Sequence, residues 1–404
     1  MIRVTPPMSV VAKDLNGSLI EISATHARID WEKSTGDTQV ETITIKRNGV
    51  SPSKVDVVAA GENLFRFKDN SLATIQDLMH ALRKSQHLEL CANSDIEHSS
   101  KDNGFSAVTL PVVSLPEISW NDLNTSTSFM NKIFSAPVLI TGMTGGVEQG
   151  TMINERLAHC AVTHNIPMGV GSQRMALENP SLAGIFRLKD KFPGLFLIGN
   201  IGIGQLCRSD FLDQCQKAVD MIQADALAIH VNVLQELIQV EGDRDFRGVI
   251  AKIGSVQQKL TVPVIVKEVG VGLDALTAKK LWEQGIRYFD VGGSGGTSWA
   301  RIEGLRASNE LIRRRGDIFR DWGMSTAESL LAVKHTLPQA EVVATGGIRD
   351  GLTVLKAVHS GAKMAGIGLP LMKAALEHDE APTQLMSAII DELKTAMMVS
   401  GLQL

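Results

Sequence analysis

From Ala136 to the C-terminus the chain repeats one beat, a short apolar run followed by a longer stretch with helical spacing. The runs are PVLITG (137–142), IPMGVG (166–171), LFLIGN (195–200), ALAIHV (226–231), VPVIVK (262–267), IRYFDV (286–291), EVVATG (341–346) and KMAGIG (363–368). All eight are near-continuously apolar, as strands buried on both faces should be. Each interval is long enough for a crossover helix. LTAKKLWEQG (276–285) and GLTVLKAVHSGA (351–362) carry apolar residues at helical spacing and then glycine just past the end, a C-cap signal. Eight βα units over this length match a closed barrel, which takes about 250 residues. An open doubly wound sheet is the structural alternative, but glycine loops of phosphate-binding type after the last strands favour the barrel. The expected fold is α/β, a (β/α)8 TIM barrel over 136–404 with an N-terminal extension.

Residues 1–75 do not join this rhythm. VETITIKRNGV (40–50) alternates like a strand and runs into an Asn-Gly turn signal. The extension is therefore expected to be small and β-rich, or partly disordered. SLATIQDLMHALRKSQHLELC (71–91) reads as a helix with Ser71 or Thr74 as N-cap. Residues 101–135, with LPVVSLPEISW at 110–120, read as a proline-punctuated connector. The 76–135 stretch is thus taken as a helix and connector leading into the barrel.

Composition narrows the partners. A formal net charge of −4 gives no general affinity for nucleic acid or an anionic membrane. With 4% aromatic residues and a single tyrosine, stacking platforms for single strands are not expected. No apolar run approaches the roughly 20 residues that span a bilayer, and the N-terminus lacks a signal-peptide core, so a cytoplasmic location is expected. The four cysteines form no Cys-x-x-Cys pair, which argues against a zinc site or a disulfide framework.

Catalytic groups of such barrels sit at the C-terminal ends of the strands. Here those ends read TGMTGG (141–146), GSQR (171–174), Asn200, His230-x-Asn232, Lys267, GGSGGTSW (292–299), GGIRDG (346–351) and GIGLP (366–370). Glycines after the last two strands let backbone N–H groups approach a phosphate. Lys267 is either a rim lysine with its head in water or a fixed cation beside an electron-rich ring. Arg174 offers a planar fork for phosphate or carboxylate, or else a surface ion pair. Asn200 could equally cap a helix. His230 and Asn232, two apart, share one face of the strand end. Gln235 and Glu236 follow, and a glutamate beside phosphate-binding groups suits Mg²⁺. Zinc is disfavoured, because no second histidine stands at ligand spacing. Asp243 and Arg244 read as a charge-paired loop.

These residues resemble type 2 isopentenyl diphosphate isomerase, an FMN-dependent (β/α)8 barrel family. The resemblance rests on RKSQHL (83–88), LPEI (115–118), MTGG (143–146), GSQR, HVNVLQE (230–236), EGDR (241–244), VIVKEVG (264–270), GGSGGTSWARIE (292–303) and GGIRDG, in the family's order. It implies interconversion of isopentenyl and dimethylallyl diphosphate by a 1,3-proton shift. Reduced FMN would act as acid/base, Mg²⁺ would serve the diphosphate, and NAD(P)H would reduce the flavin. Carried over, Thr141, Gly142, Met143, Thr144, Ser172, Asn200, Lys267 and Thr297 would contact FMN, and Gly346, Gly347, Gly366 and Ile367 would hold its phosphate. Arg83, Lys84, His87, Arg174, His230 and Asn232 would clamp the substrate. Gln235 would face the reacting carbons, Glu236 would bind Mg²⁺, and Trp299 and Glu303 would shape the pocket. Gln235, His230 and Glu303 are the implied catalytic set. The family also tends toward tetramers or larger assemblies.

The chain departs from the family in three places. About 75 more residues than is usual in the family precede the Arg83-Lys84 motif, Val240 replaces a proline, and Gly142 stands where Ala or Ser is usual. Two rivals remain. Another FMN barrel oxidoreductase would need a basic histidine with an arginine, or a cysteine, over the flavin, and GGSGGTSW supplies neither. A non-catalytic phosphate-binding barrel would not require polar groups at every strand end.

Overall fold

A computed structural model describes the backbone of strands within residues 2–67 and, with side chains, residues 83–404 apart from 85, 144–148, 240–241, 308 and the Gln149 side chain. The N-cap candidates Ser71 and Thr74 and the flavin candidate Thr144 lie outside the described residues.

Six N-terminal strands, β1 (Ile2–Ala12), β2 (Leu15–Ile22), β3 (His26–Trp31), β4 (Thr42–Arg47), β5 (Val50–Gly61) and β6 (Leu64–Phe67), form a closed antiparallel barrel in the order β1-β2-β3-β6-β5-β4. The Asn48-Gly49 signal falls between β4 and β5, which pair in antiparallel register.

A hairpin, β7 (Thr127–Phe129) and β8 (Lys132–Phe134), precedes the main barrel and corrects the reading of 101–135 as connector alone. Its two-residue turn holds Met130 at φ 52° and Asn131 at φ 60°. Both angles are left-handed, as a tight hairpin turn of matching twist demands. No glycine marks the turn in the sequence, which is why periodicity passed over it.

Eight strands then close in parallel: β9 (Val138–Ile140), β10 (Met168–Gly169), β11 (Leu197–Gly202), β12 (Ala226–His230), β13 (Val264–Lys267), β14 (Tyr288–Asp290), β15 (Glu341–Thr345) and β16 (Met364–Ile367), with β16 pairing back onto β9. Each coincides with one of the eight apolar runs. Helices follow as expected, and those over Ala275–Glu283 and Gly351–His359 end near Gly285 and Gly361, both at positive φ.

Alternation along these strands decides where the site lies. Outward residues such as Leu227, Ile229, Val264, Val266, Val342 and Ala344 join the large core beneath the helices. Inward residues Leu139, Ile198, Ala226, Ala228, Ile265, Val343 and Met364 form a second core, with Phe129 and Phe134 of the hairpin packed into it. Each fully buried Leu, Ile or Phe contributes roughly 1.5–3 kcal/mol by transfer from water. Two residues further along six of the eight strands the inward position turns polar: Thr141, Asn200, His230, Lys267, Asp290 and Thr345. An apolar barrel interior thus ends in a polar floor at the C-terminal mouth.

Candidate active site

A cleft of about 1210 Å³, including its part open to solvent, occupies that mouth. Thr141, Gly142, Met143, Ser172, Asn200, Lys267, Thr297, Gly346, Gly347 and Gly366 line it, as do Arg83, Lys84, His87, Arg174, His230, Asn232, Gln235, Glu236 and Trp299. Among the described residues, every site residue named from the sequence except Ile367 and Glu303 therefore lines one cleft.

One wall is backbone. Gly346 has φ +125°, and a Cβ there would lie 2.2 Å from the carbonyl oxygen of Gly293; at Gly347, φ is +72° and the clash is 2.3 Å with the oxygen of Gly295. Only glycine allows these loops to stack so closely. The result is a concave surface with bare main chain. It fits a flat ring with a phosphate arm, because polar side chains stand beneath it. Lys267, nearly buried, donates from Nζ to the carbonyl of Glu268 (3.0 Å). Burial raises the pKa of Asp290 on the neighbouring strand, against the opposing pull of Lys267. Burial also pushes the Glu268 carboxyl up to about 7, although the N–H groups of Val271 and Val269 donate to it (2.7 and 2.6 Å).

Ile367 does not line the cleft. It sits on β16 with its side chain fully buried in the outer core, and its carbonyl accepts from the N–H of Thr141 (2.9 Å). Strand alternation explains this: Gly366 points inward, so its neighbour points to the helices.

The opposite wall is made of side chains tied to one another. Asn200 donates from Nδ2 to the carbonyl of Val170 (2.9 Å), so its Oδ1 faces His230 Nδ1 at 2.8 Å. That fixes the proton on Nδ1 and leaves Nε2 as an acceptor. Burial, with Lys267 and Lys84 nearby, lowers the His230 pKa well below its ordinary value. Gln173, fully buried, accepts from the N–H of Asn200 (2.8 Å) and donates to the carbonyl of Ala218 (2.8 Å), anchoring this corner.

Glu303 ties three elements together. His87 Nε2 and Gln235 Nε2 both donate to its Oε1 at 2.9 Å, and Arg306 pairs with its Oε2. Burial alone would raise the Glu303 pKa; the charge of Arg306 and the contacts of His87 and Gln235 outweigh it and hold the carboxyl below its usual range. Burial lowers His87 to about 3 despite that carboxylate. His87 is therefore neutral with its proton on Nε2, its ring edge-on to Trp299 (5.3 Å between centroids). Glu303 does not line the cleft. Its implied catalytic place is corrected to that of a positioning residue behind His87 and Gln235.

Segment 96–103 carries this wall onto the barrel. Ser298 N–H donates to the Ile96 carbonyl (2.8 Å), His98 N–H to Gly296 (3.0 Å) and Asn103 Nδ2 to the Gly347 carbonyl (2.7 Å). Glu97 and Arg349 pair at the rim of the cleft. Lys84 faces Arg83, Arg174 and Arg306 on one side and Glu303 on the other; burial first, then Arg83 and Arg174, lower it to about 7.

Glu236 is buried. Asn232 Nδ2 donates to its Oε1 (2.9 Å) and the N–H of Asp243 to its Oε2 (3.0 Å). The remaining oxygen of that amide, Asn232 Oδ1, is buried without a partner. A carboxylate beside a spare carbonyl oxygen fits a hard cation. Among the described residues no group of three His, Cys, Asp or Glu could hold a metal alone, so the other ligands would come from water and a phosphorylated substrate.

Sequence reasoning missed Gln173, Glu268, Gln239 and Arg306. Arg306 was detectable as the i+3 partner of Glu303 on one helix. The others carry no pattern of their own.

A family model for FMN-dependent dehydrogenases matches residues 214–404. Curated relatives are named isopentenyl-diphosphate delta-isomerase. One from a Nostoc species is 43% identical over 319 residues, 79% of this chain and 91% of that protein. One from a Synechococcus species is 42% identical over 77% of this chain and 90% of its own length. One from Ignicoccus hospitalis is 39% identical over 79% of this chain and 89% of its own. Among solved structures, a point variant of mandelate oxidase with benzoyl-formic acid aligns at TM-score 0.51 and 17% identity, over 81% of this chain and 92% of that one. A flavocytochrome b2 variant with benzoylformate aligns at TM-score 0.56 and 17% identity, over 81% and 82%. At that identity these two share the barrel fold alone.

Proposed function

The chain belongs to the type 2, FMN-dependent family of isopentenyl-diphosphate delta-isomerases, and from that premise we propose that it interconverts isopentenyl and dimethylallyl diphosphate within this cleft. One observation carries the reading: a glycine-rich wall over a polar barrel floor shares a single cavity with the cations Arg83, Lys84 and Arg174 and the buried carboxylate of Glu236. That arrangement suits a flavin on one side and a diphosphate with its cation on the other.

Thr141, Ser172, Asn200, Lys267 and Thr297 would hold the flavin ring, and the loops of Gly346, Gly347 and Gly366 its phosphate. Reduced FMN, when bound, supplies the proton exchange that an allylic shift requires. Lys267 places a fixed cation on the barrel floor and favours an anionic ring there. Arg83, Lys84 and Arg174 bind the diphosphate. No bond in it reacts, so this clamp contributes orientation and remote binding energy. His230, with Nδ1 committed to Asn200, keeps its acceptor nitrogen until an anion's approach favours its second proton. Glu236 and Asn232 Oδ1 would hold Mg²⁺, which would offset the charge of the diphosphate. Gln235 is tied at both ends, to Glu303 and to Asn232 (3.1 Å), so its amide edge stays fixed beside the five-carbon unit. Trp299 closes the apolar end.

NAD(P)H as flavin reductant, a cytoplasmic location and a homo-tetramer or larger assembly complete the proposal, on the sequence resemblance. Among the described residues no helix is long and apolar enough to cross a membrane. An anaerobic assay with isopentenyl diphosphate, FMN, NADPH and Mg²⁺ tests the reading. Product should form only with flavin, reductant and metal together; undiminished activity after flavin removal would sink it.

A further inference from the structure

The loop after β12 holds two unsatisfied buried atoms, and they are of opposite kind. Asn232 Oδ1 is a spare acceptor and Gln239 Nε2 a spare donor. Both side chains are more than nine-tenths buried, and both line the cleft together with Glu236. A buried polar atom without a partner costs free energy, so a native site that keeps two of them is matched to something that binds there. An acceptor asks for a cation or a donor. A donor asks for an anionic oxygen. A metal–phosphate pair supplies both.

Gln239 is held firmly in place. Its N–H donates to the carbonyl of Gln235 (2.8 Å), closing the helix Val233–Ile238, and its carbonyl accepts from the N–H of Gly242 (3.2 Å). Gly242 is pressed on the same helix: a Cβ there would lie 1.9 Å from the carbonyl oxygen of Glu236. The next residue, Asp243, donates its N–H to the Glu236 carboxylate (3.0 Å). One tight turn therefore carries Gln239 and braces Glu236. Arg174, Gly204 and Gln205 line the same cleft, so cationic and neutral donors converge there.

We infer that Gln239 is a further substrate-binding residue, donating from its side-chain amide to a diphosphate oxygen on the phosphate that the cation at Glu236 also holds. This rests on the diphosphate-isomerase reading of the cleft. A neutral donor suits that position: it adds a hydrogen bond to the phosphate without another charge repelling the metal.

The test uses the full-chain holoenzyme and inorganic pyrophosphate as probe. Gln239→Met keeps the length and removes the donor. Its affinity for pyrophosphate in the presence of Mg²⁺ should fall about tenfold or more, as for a lost hydrogen bond to a charged group. FMN absorbance and thermal unfolding should not change. KM for isopentenyl diphosphate should rise with kcat nearly constant, because a contact to a non-reacting group acts equally in ground and transition states. Gln239→Glu keeps the shape but turns a charge on the phosphate, and should bind pyrophosphate more weakly still. Unchanged affinity in both variants overturns the inference. Loss of FMN, pyrophosphate and stability together overturns it too, by showing a structural role. A wild-type protein that neither binds pyrophosphate nor isomerises the C5 diphosphate overturns the functional reading itself, a failure distinguishable from the other two.

Discussion

The two walls of the cleft are built by different means. The glycine wall is mostly main chain: Gly346 and Gly347 press against the carbonyls of Gly293 and Gly295, with the Thr326 and Asn103 side chains donating to the Gly346 and Gly347 carbonyls. The facing wall is a relay of side chains from elements far apart in sequence, with His87, Gln235 and Arg306 converging on Glu303 and Asn232 on Glu236. Backbone walls fail by steric insertion at one point. Relay walls fail when one member is removed, because the rest are left buried without partners. The difference predicts which ligand each substitution should dislodge.

The largest effect is expected at Glu303. Replacing it with Leu removes the buried acceptor that His87 and Gln235 share and the carboxylate paired with Arg306, at a cost of about 3–5 kcal/mol. Denaturant unfolding should show this loss, and isomerisation should nearly vanish. Comparable stability in the variant would contradict the relay. Next comes Gly346→Ala, which forces a Cβ at φ +125° against the Gly293 carbonyl. FMN retention, read from flavin absorbance after gel filtration, should drop about tenfold or more, in line with backbone strain at such a site. Pyrophosphate binding should survive, and its loss would show that the walls are not separable.

Glu236→Gln should raise the Mg²⁺ concentration needed for half-maximal activity about 10–100-fold. FMN affinity should stay within a factor of two or so, since Glu236 lies on the other wall. Titrating both ligands decides it, and equal losses would count against the metal role. A smaller effect concerns pH. Lys84 titrates near 7 in the free protein because it is buried and faces Arg83, Arg174 and Arg306, with only Glu303 opposing. A bound diphosphate favours the protonated amine and raises that pKa. Above pH 7 the complex then holds a proton that the free protein lacks, so binding takes up protons and affinity falls as pH rises. Calorimetry of pyrophosphate binding in buffers of different ionisation heat should register this uptake; no uptake at pH 8 would refute it. Smallest of all should be removal of residues 1–70, because both walls are described within 83–404. Loss of flavin binding in that truncation would mean the N-terminal strands support the site.

Much of the barrel was legible. The eight apolar runs became the eight strands, and every strand end named as polar or glycine-rich reached the cleft. The hairpin at 127–134 was not legible, because Met130 and Asn131 adopt left-handed turn angles without a glycine to announce them. The side-chain direction of Ile367 was not legible from its adjacency to Gly366, because alternation turns neighbours to opposite faces. That Glu303 stands behind His87 and Gln235 and does not line the cleft was not legible, since a helix residue's depth depends on what packs in front of it.

The sequence by itself determined the repeat, and with it the barrel, the polar mouth and the glycine loops. Those follow from local periodicity and backbone sterics, which each short segment carries within itself. Tertiary structure decided which atoms meet. That His87 donates to Glu303, that Asn232 and Gln239 each keep one buried atom unsatisfied, and that the charges of Arg83 and Arg174 bear on Lys84 are properties of contacts in space. Hydrogen bonding and desolvation act over a few ångströms of space, and no interval of sequence records that distance.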